Sequence, residues 1–484
     1  MIDNNTKPIE SDQRETGEVT LPSRFVLRFG YACGHVQNDL CSAMYFSYLL
    51  VYLELTGLSP VEAGVVMIVG QLVDGLTTPF VGSWSDQFTC CEQWAGRRKS
   101  WYIGGFILVS ATFWALFTPC PDQVSPVAFY TIANSLFQIG WATVQVSHMA
   151  VVPELTPLLS ERTVLNSIRF AVTVGTSIAV YVMVWIFSAV GDDRSNSENE
   201  GINKNTEKED DENNEMLLPE LQIISYIVLL SGALFGLVFV LLVHESTGIE
   251  QTSAEHEEEE EEEDIVNLNN VDGHTPVADK NLCEWFQTPG FVGVTANYTV
   301  TRICVNSLQV YIPFYALNNM DDSPTTVAIV PLIAFVGMCL SSVLAPRVSA
   351  LLTDAVWVYA AGGMLTLLGA VTLLFLAEVS EYWIYVAVAL LGIGSAQLMI
   401  TSQTQVCELV GVESNGGVVF GISSLCDKIS TGLVIFFVQR SAQNTISDTG
   451  LADLYRLTLG CVPIGCAVLG LLAQVTVSKK IRDR

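Results

Sequence analysis

An ionisable side chain inside a long apolar stretch costs several kcal/mol unless it is paired or wet, so such residues are functional candidates by default. Asp39 follows Asn38 within the first apolar stretch, and Asp74 precedes Thr77, Thr78 and Pro79 in the second. Arg169 and Arg302 lie inside later stretches, and Asp427 and Lys428 sit together in the middle of another. Asp39 and Asp74, with Asn38 and Thr78 as further oxygens, could hold a cation or a proton. Two carboxylates sharing a site suit a proton carrier, whereas a nearby Lys428 favours the ionised form of both. The plainer reading is mutual neutralisation of opposite charges across helices, or for Arg169 snorkelling to a nearby surface. Gln145 and His148, three residues apart, share one helical face that could line an aqueous cavity or bond a neighbouring helix.

A second constellation is Gly82-Ser-Trp-Ser-Asp86 followed by Gly96-Arg97-Arg98-Lys99. Asp86 at one helix end facing Arg97 and Arg98 at the next could form a charge-assisted latch, made in one conformation and broken in another. The basic turn alone is also what a cytoplasmic membrane anchor requires. Glycines at 64, 70, 75, 416, 417 and 421, with Pro79, permit close helix approach or flexing in the same helices.

The elements that must carry these residues are apolar blocks of the length that crosses a hydrocarbon core. They fall at 26–55, 61–83, 101–119, 126–152, 164–190, 219–243, 291–316, 325–345, 354–377, 382–404, 414–438 and 456–477. The expected fold is all-α: twelve transmembrane helices in two six-helix bundles, 26–243 and 291–477, flanked by tails 1–25 and 478–484. An acidic segment, 244–290, tethers the halves, and a second acidic loop, 191–218, joins spans 5 and 6. Residues 191–220 and 245–284 hold 25 of the 50 acidic side chains, so the net charge of −28 belongs mostly to solvated loops. Arg24, Arg28, Arg97, Arg98, Lys99, Arg162, Lys280, Arg347, Lys479, Lys480, Arg482 and Arg484 collect on one side. Only Arg194, Lys204, Lys208, Arg440 and Arg456 fall on the other, which places both termini and the 244–290 tether in the cytoplasm. Asn297-Tyr298-Thr299 fits a glycosylation pattern but lies within a span.

With half of its 484 residues hydrophobic, 15% charged and a mean hydropathy of +0.43, the chain has too little polar surface to be soluble. A soluble enzyme, a nucleic-acid binder and a secreted disulfide scaffold are excluded as classes. The 12 cysteines form no CxxC pair and mostly sit in apolar segments as packing residues. Neither a metal nor an organic cofactor is expected. The first 23 residues are polar, so no cleavable leader is expected either.

Twelve spans, a central loop and a G-x-x-x-D…G-R-R-K turn between spans 2 and 3 resemble the major facilitator superfamily. Gln87 to Ala95 lengthen that turn, as in the glycoside–pentoside–hexuronide cation symporter branch. In that resemblance Asp39, Asp74 and Lys428 fall where the branch handles substrate and cation, and Arg169 matches a charged position. Thr78 and Gln145 stand where the symporters carry cation-binding acids, which implies proton coupling, or none, in place of sodium. Longer motifs resemble a narrower lysosomal branch of the superfamily: Tyr31-Ala-Cys-Gly-His-Val-Gln-Asn-Asp-Leu-Cys41, Gly70-Gln-Leu-Val-Asp-Gly-Leu76, Gln138-Ile-Gly-Trp-Ala142, Ser147-His-Met149, Val152-Pro-Glu-Leu155, Thr301-Arg302 and Cys426-Asp-Lys-Ile-Ser-Thr-Gly-Leu433. This implies import of cysteine from cytosol into lysosomes and, in pigment cells, melanosomes. His274-Thr-Pro276 matches that branch, but Val277-Ala278 replaces its dileucine-type sorting signal, which leaves the plasma membrane as another location.

The expectation is a monomeric transporter of a small polar solute, working in a lipid bilayer by rocking of two bundles about a central site. For a zwitterion, Asp39 or Asp74 would receive the ammonium and Lys428 or Arg302 the carboxylate. Two alternatives stand beside it. One is a cation-coupled sugar symporter using Trp141, Tyr31, Tyr298 and Tyr311 as stacking surfaces. The other is a membrane scaffold or receptor whose acidic loops recruit partners.

Overall fold

The computed structural model describes residues 24–87, 96–156, 159–199, 209–243, 282–288, 290–320, 324–352, 354–377, 379–410, 416–445 and 447–482. The N-terminal tail, most of the 244–290 tether, and the His274–Ala278 segment lie outside them. Within them the chain forms twelve long helices. The first, α1, runs through 24–55 as an α-helix (Arg24–Met44), a π turn (Tyr45–Leu49) and a closing α turn (Leu50–Leu55). It is followed by α2 (Pro60–Gln87), α3 (Arg97–Leu116), α4 (Pro126–Ala150), α5 (Leu159–Asn199) and α6 (Glu209–Leu242). The second half contains α7 (Phe291–Asn319), α8 (Pro324–Leu352), α9 (Ala355–Phe375), α10 (Tyr382–Val410), α11 (Gly416–Asn444) and α12 (Asp448–Arg482). Two short helices, Val152–Leu155 and Leu282–Gln287, lie between long ones. Helices dominate because hydrocarbon offers no partner for a backbone N–H or C=O, so each span satisfies its own.

Eight helices (α2, α5, α6 and α8 to α12) are long and apolar enough to cross a membrane on length and composition alone. The other four, α1, α3, α4 and α7, are more polar. In α1 that polarity is hidden: His35, Gln37, Asn38 and Asp39 are all buried.

The two halves repeat one packing scheme. In the first, α1 lies on α5 and α6, while α2 and α3 lie on α4; in the second, α7 lies on α11 and α12, while α8 and α9 lie on α10. Small residues allow the closest crossings at equivalent places. A Cβ on Gly105 would stand 3.0 Å from the Gly140 carbonyl oxygen (α3–α4), and one on Gly394 would stand 2.8 Å from that of Gly362 (α9–α10). The halves meet where α2 packs on α11, α5 on α8, and the α1 π turn on α7. Val61 N donates to Gln443 Oε1 (3.3 Å), Gln439 donates to Glu54, and Tyr181 packs against Phe335 (4.5 Å between rings).

Asn297 is fully buried in α7 and donates to Gln405, which in turn donates to Gln474, so it is a packing residue.

Candidate functional site

Three groups of buried polar residues occupy the middle of the helices. One spans the two halves. Lys428 Nζ on α11 lies 2.6 Å from Asp74 Oδ2 on α2, and both side chains are almost wholly buried (5% and 1% exposed). Thr78, one turn beyond Asp74, donates to its Oδ1 (3.2 Å) and to its carbonyl (3.0 Å). The ammonium also lies over Trp141 of α4 (5.0 Å) and Phe46 of the π turn (5.7 Å). Ring faces attract a cation most where water is excluded. Gly75 makes room for this arrangement, since a Cβ there would meet the Lys428 side chain at 3.3 Å and Leu425 at 3.0 Å.

The second group lies within the first half. Thr173 of α5 donates to Asp39 Oδ2 (3.0 Å), and His35 Nδ1, one turn before Asp39 on α1, lies 2.9 Å from the same oxygen. On the other side of the ring, Arg169 Nη2 of α5 lies 3.2 Å from His35 Nε2. A guanidinium only donates, so Nε2 accepts and the ring proton belongs on Nδ1, which is close to Asp39 but not aligned with it as a hydrogen bond. Asn38 is buried, and neither atom of its amide has a partner among the described residues; the same holds for Arg169 Nε.

The third group lies within the second half. Arg302 Nε of α7 donates to Asp427 Oδ2 of α11 (3.0 Å). Asn306, one turn on from Arg302, and Thr431, one turn on from Asp427, both donate to Asp427 Oδ1 (3.2 and 3.1 Å). Both oxygens of the Asp427 carboxylate are thus engaged.

The structure therefore separates Asp39 from Asp74: each carboxylate has its own partners, not a shared site between them. It also pairs Arg302 inside its own half, leaving Lys428 as the cation that reaches across. His148 is fully buried, its Nε2 lies 2.9 Å from the Tyr31 carbonyl oxygen, and its ring stacks on Tyr31 (4.3 Å) beside Tyr102 and Phe239. It is a packing residue of α1, α3, α4 and α6 and shares no partner with Gln145, which is half-buried on α4. Tyr31 and Tyr311 are likewise packed away, the latter donating to the Ile435 carbonyl (3.1 Å). The Asp86 and Arg97 side chains lie outside the described residues. Arg98 donates to Ser85 (2.6 Å), and Ser85 in turn donates to the Gly82 carbonyl (3.1 Å). Lys99 donates to the Val243 carbonyl at the end of α6 (2.6 Å), where a cation suits the helix dipole.

A family model described as Major Facilitator Superfamily matches residues 31–434. The chain belongs to that superfamily. It is 30% identical over 437 residues to "Major facilitator superfamily domain-containing protein 12" of Homo sapiens, covering 86% of this chain and 85% of that protein. It is 29% identical over 178 residues to "Uncharacterized symporter sll1374" of Synechocystis, 35% of this chain and 32% of that one. Among solved structures, the xylose transporter XylE of E. coli in an inward open conformation superposes with a TM-score of 0.61. It covers 92% of this chain and 95% of its own at 13% identity. Membership of the superfamily makes this a membrane transporter of a small molecule and not an enzyme, with two bundles of six helices in a lipid bilayer.

His35 is the residue that reading the sequence missed. Its signal was the i, i+4 spacing to Asp39 on one helical face, overshadowed by the more conspicuous His148 on a polar helix.

Proposed function

We propose that the protein is a secondary transporter that moves a small zwitterionic solute, L-cysteine by its resemblance, from cytosol into lysosomes or melanosomes by alternating access. One observation carries the reading: the Asp74–Lys428 ion pair at 2.6 Å, buried where two helices from opposite halves run side by side. A buried pair of this kind is closed to itself but matched to a zwitterion. The solute ammonium takes the place of Lys428 at Asp74, the solute carboxylate takes the place of Asp74 at Lys428, and Trp141 and Phe46 border the exchange. One internal ion pair becomes two, so binding offsets the desolvation that separating the pair would otherwise cost. Both contacts hold opposite halves to one small molecule, and their formation or release biases the rocking of the bundles.

With the termini in the cytosol, the ends joined by Glu54–Gln439, Val61–Gln443 and Tyr181–Phe335 face the lumen, as in a carrier closed on its luminal side. The described side chains supply no second acid to Asp74, and Thr78 and Gln145 are neutral, so a proton fits the coupling role better than sodium. The carrier works as a monomer, because each chain supplies both halves of the site.

A sugar is the second reading. It is supported by the symporter-named relative and by Trp141, whose indole Nε1 has no partner among the described residues and whose ring borders the ion pair. Uptake of labelled L-cysteine, cystine, serine and melibiose into vesicles of known orientation separates the two. Cysteine uptake competed by serine supports the zwitterion; uptake of melibiose without any uptake of cysteine overturns it. Asp74→Asn and Lys428→Gln should each abolish uptake by the fraction of protein that reaches the membrane folded.

A further inference from the structure

We infer that His35 is the proton-binding group that couples this carrier to a pH gradient. The inference rests on the transporter reading above but not on the identity of the solute. In the structure His35 stands between an acid and a base that do not touch each other directly in any described contact: Asp39 Oδ2 at 2.9 Å from Nδ1 and Arg169 Nη2 at 3.2 Å from Nε2. Arg169 has no proton acceptor to offer, so its N–H can point at Nε2 only while that nitrogen keeps its lone pair. A proton arriving at Nε2 consumes that lone pair. The ring becomes an imidazolium whose Nδ1 lies 2.9 Å from the Asp39 carboxylate, and the Arg169 N–H is left facing another N–H. The Arg169 link then breaks, while the Asp39 link strengthens. Loss of the proton restores both.

The groups around the ring allow this. On α1 itself the titratable neighbours are Asp39 and Tyr31; α5 contributes Arg169; α4 contributes His148, whose ring is 5.2 Å away and already bonded to the Tyr31 carbonyl; α3 contributes Tyr102, which donates to the Gly34 carbonyl; α6 contributes Phe239. Among these, only Asp39 can serve as counter-charge to an imidazolium. Arg169 Nε and the amide of Asn38, the residue before Asp39, are buried and without partners among the described residues.

The consequence reaches the other half through α5. That helix holds Asp39 through Thr173, holds His35 through Arg169, and packs on α8 across the interface, where Tyr181 meets Phe335. Making and breaking the Arg169 link changes how firmly α1 and α5 are joined, and so biases the helix that the two halves share. Proton binding and bundle position then influence each other reciprocally. Transport into an acidic lumen would use this as exchange, a proton leaving as the solute enters.

The test uses the full chain in vesicles with labelled L-cysteine and a pH-sensitive dye. Two modes are compared: accumulation driven by a pH gradient, and exchange of labelled for unlabelled cysteine at equal pH. Wild type should accumulate label under a gradient of one sign, with proton movement in step. His35→Gln keeps a hydrogen-bonding amide between Asp39 and Arg169 but cannot take a proton. It should still exchange, yet gradient-driven accumulation and its proton signal should drop by about tenfold or more. Exchange by the variant reports that it has folded. Arg169→Gln, which removes the donor that protonation displaces, should uncouple in the same direction. Full gradient-driven accumulation by His35→Gln overturns the inference, as does loss of exchange in a variant that reaches the membrane folded. Wild-type exchange that ignores pH overturns it while leaving the transporter reading intact; absence of any cysteine movement by wild type defeats that reading itself.

Discussion

The two halves carry charged clusters in equivalent places but with the charges exchanged. In the first half the acid is on the first helix (Asp39, α1) and the base on the fifth (Arg169, α5); in the second the base is on the first (Arg302, α7) and the acid on the fifth (Asp427, α11). The linkage differs more than the sign. Arg302 meets Asp427 directly, and Asn306 and Thr431 complete the carboxylate, so both oxygens are engaged and no histidine stands between base and acid. Among the described contacts the Arg169 guanidinium reaches Asp39 through His35, and Arg169 Nε and the Asn38 amide are left over. One half holds a fixed electrostatic clasp and the other a clasp with a proton-labile link. The Asp74–Lys428 pair joins them, and it is the one to break first.

The largest effect should come from Lys428→Met. It strands Asp74 in a buried site with only Thr78 as partner, and loss of one member of a buried pair typically costs about 3–5 kcal/mol. Thermal unfolding in detergent should show that loss together with absent uptake. Asp74→Asn combined with Lys428→Gln should recover much of the stability, since neither charge is left alone, but none of the uptake. Recovery of uptake by the double variant would show that the pair is structural.

Next come matched substitutions in the two clusters. Asp427→Asn leaves the mostly buried Arg302 without its counter-charge and should destabilise by about 3–5 kcal/mol. Asp39→Asn should cost less stability, since Thr173 can still donate to the amide oxygen. It should nevertheless remove most of the pH dependence of uptake, because the imidazolium loses the charge that stabilises it. Equal, pH-independent effects from the two substitutions would erase the distinction between the halves.

How much of this was legible in the sequence follows from what each residue depends on. Asp39, Asp74, Arg302, Asp427 and Lys428 stood out because a charge in an apolar block is rare and costly wherever the block packs. Twelve helices were expected from the spacing of apolar blocks, eight of them apolar enough by composition alone and α1, α3, α4 and α7 carrying more polar residues. Partnerships were not legible, because which face of α1 meets α5 and which face of α2 meets α11 is set by packing between helices far apart in the chain. Asp39 and Asp74 therefore looked like companions although each faces a different helix. Residue 148 looked functional and residue 35 did not, yet both are buried histidines within one turn or two of polar neighbours. Only the packed structure shows that one bonds a carbonyl while the other joins an acid to a base.

Gly75 tests how tightly the cross-half pair is built, with a smaller expected effect. Gly75→Ala places a methyl 3.3 Å from Lys428 Cβ and 3.0 Å from Leu425 Cδ1, so α2 and α11 must part by a few tenths of an ångström. Overpacking of this kind costs about 1–3 kcal/mol. The separation lengthens the Asp74–Lys428 contact at the same time, so the apparent affinity for solute should change by more than the stability loss alone accounts for. A stability loss with unaltered affinity would mean that the pair tolerates helix separation and that the solute binds elsewhere.

The smallest effect should belong to His148, and it separates packing from coupling most sharply. His148→Gln removes the aromatic stack on Tyr31 but keeps an amide able to donate to the Tyr31 carbonyl. The expected loss is about 1–2 kcal/mol, from the forfeited ring contacts, not from the hydrogen bond. Uptake should fall only in proportion to the folded protein, and its pH profile should keep its shape. His35→Gln should do the reverse, preserving most of the folded protein while flattening that profile. Two histidines 5.2 Å apart, substituted by the same residue, then give opposite signatures. If His148→Gln flattens the profile as well, the proton is shared between the two rings, and the labile link extends from α5 through α1 to α4.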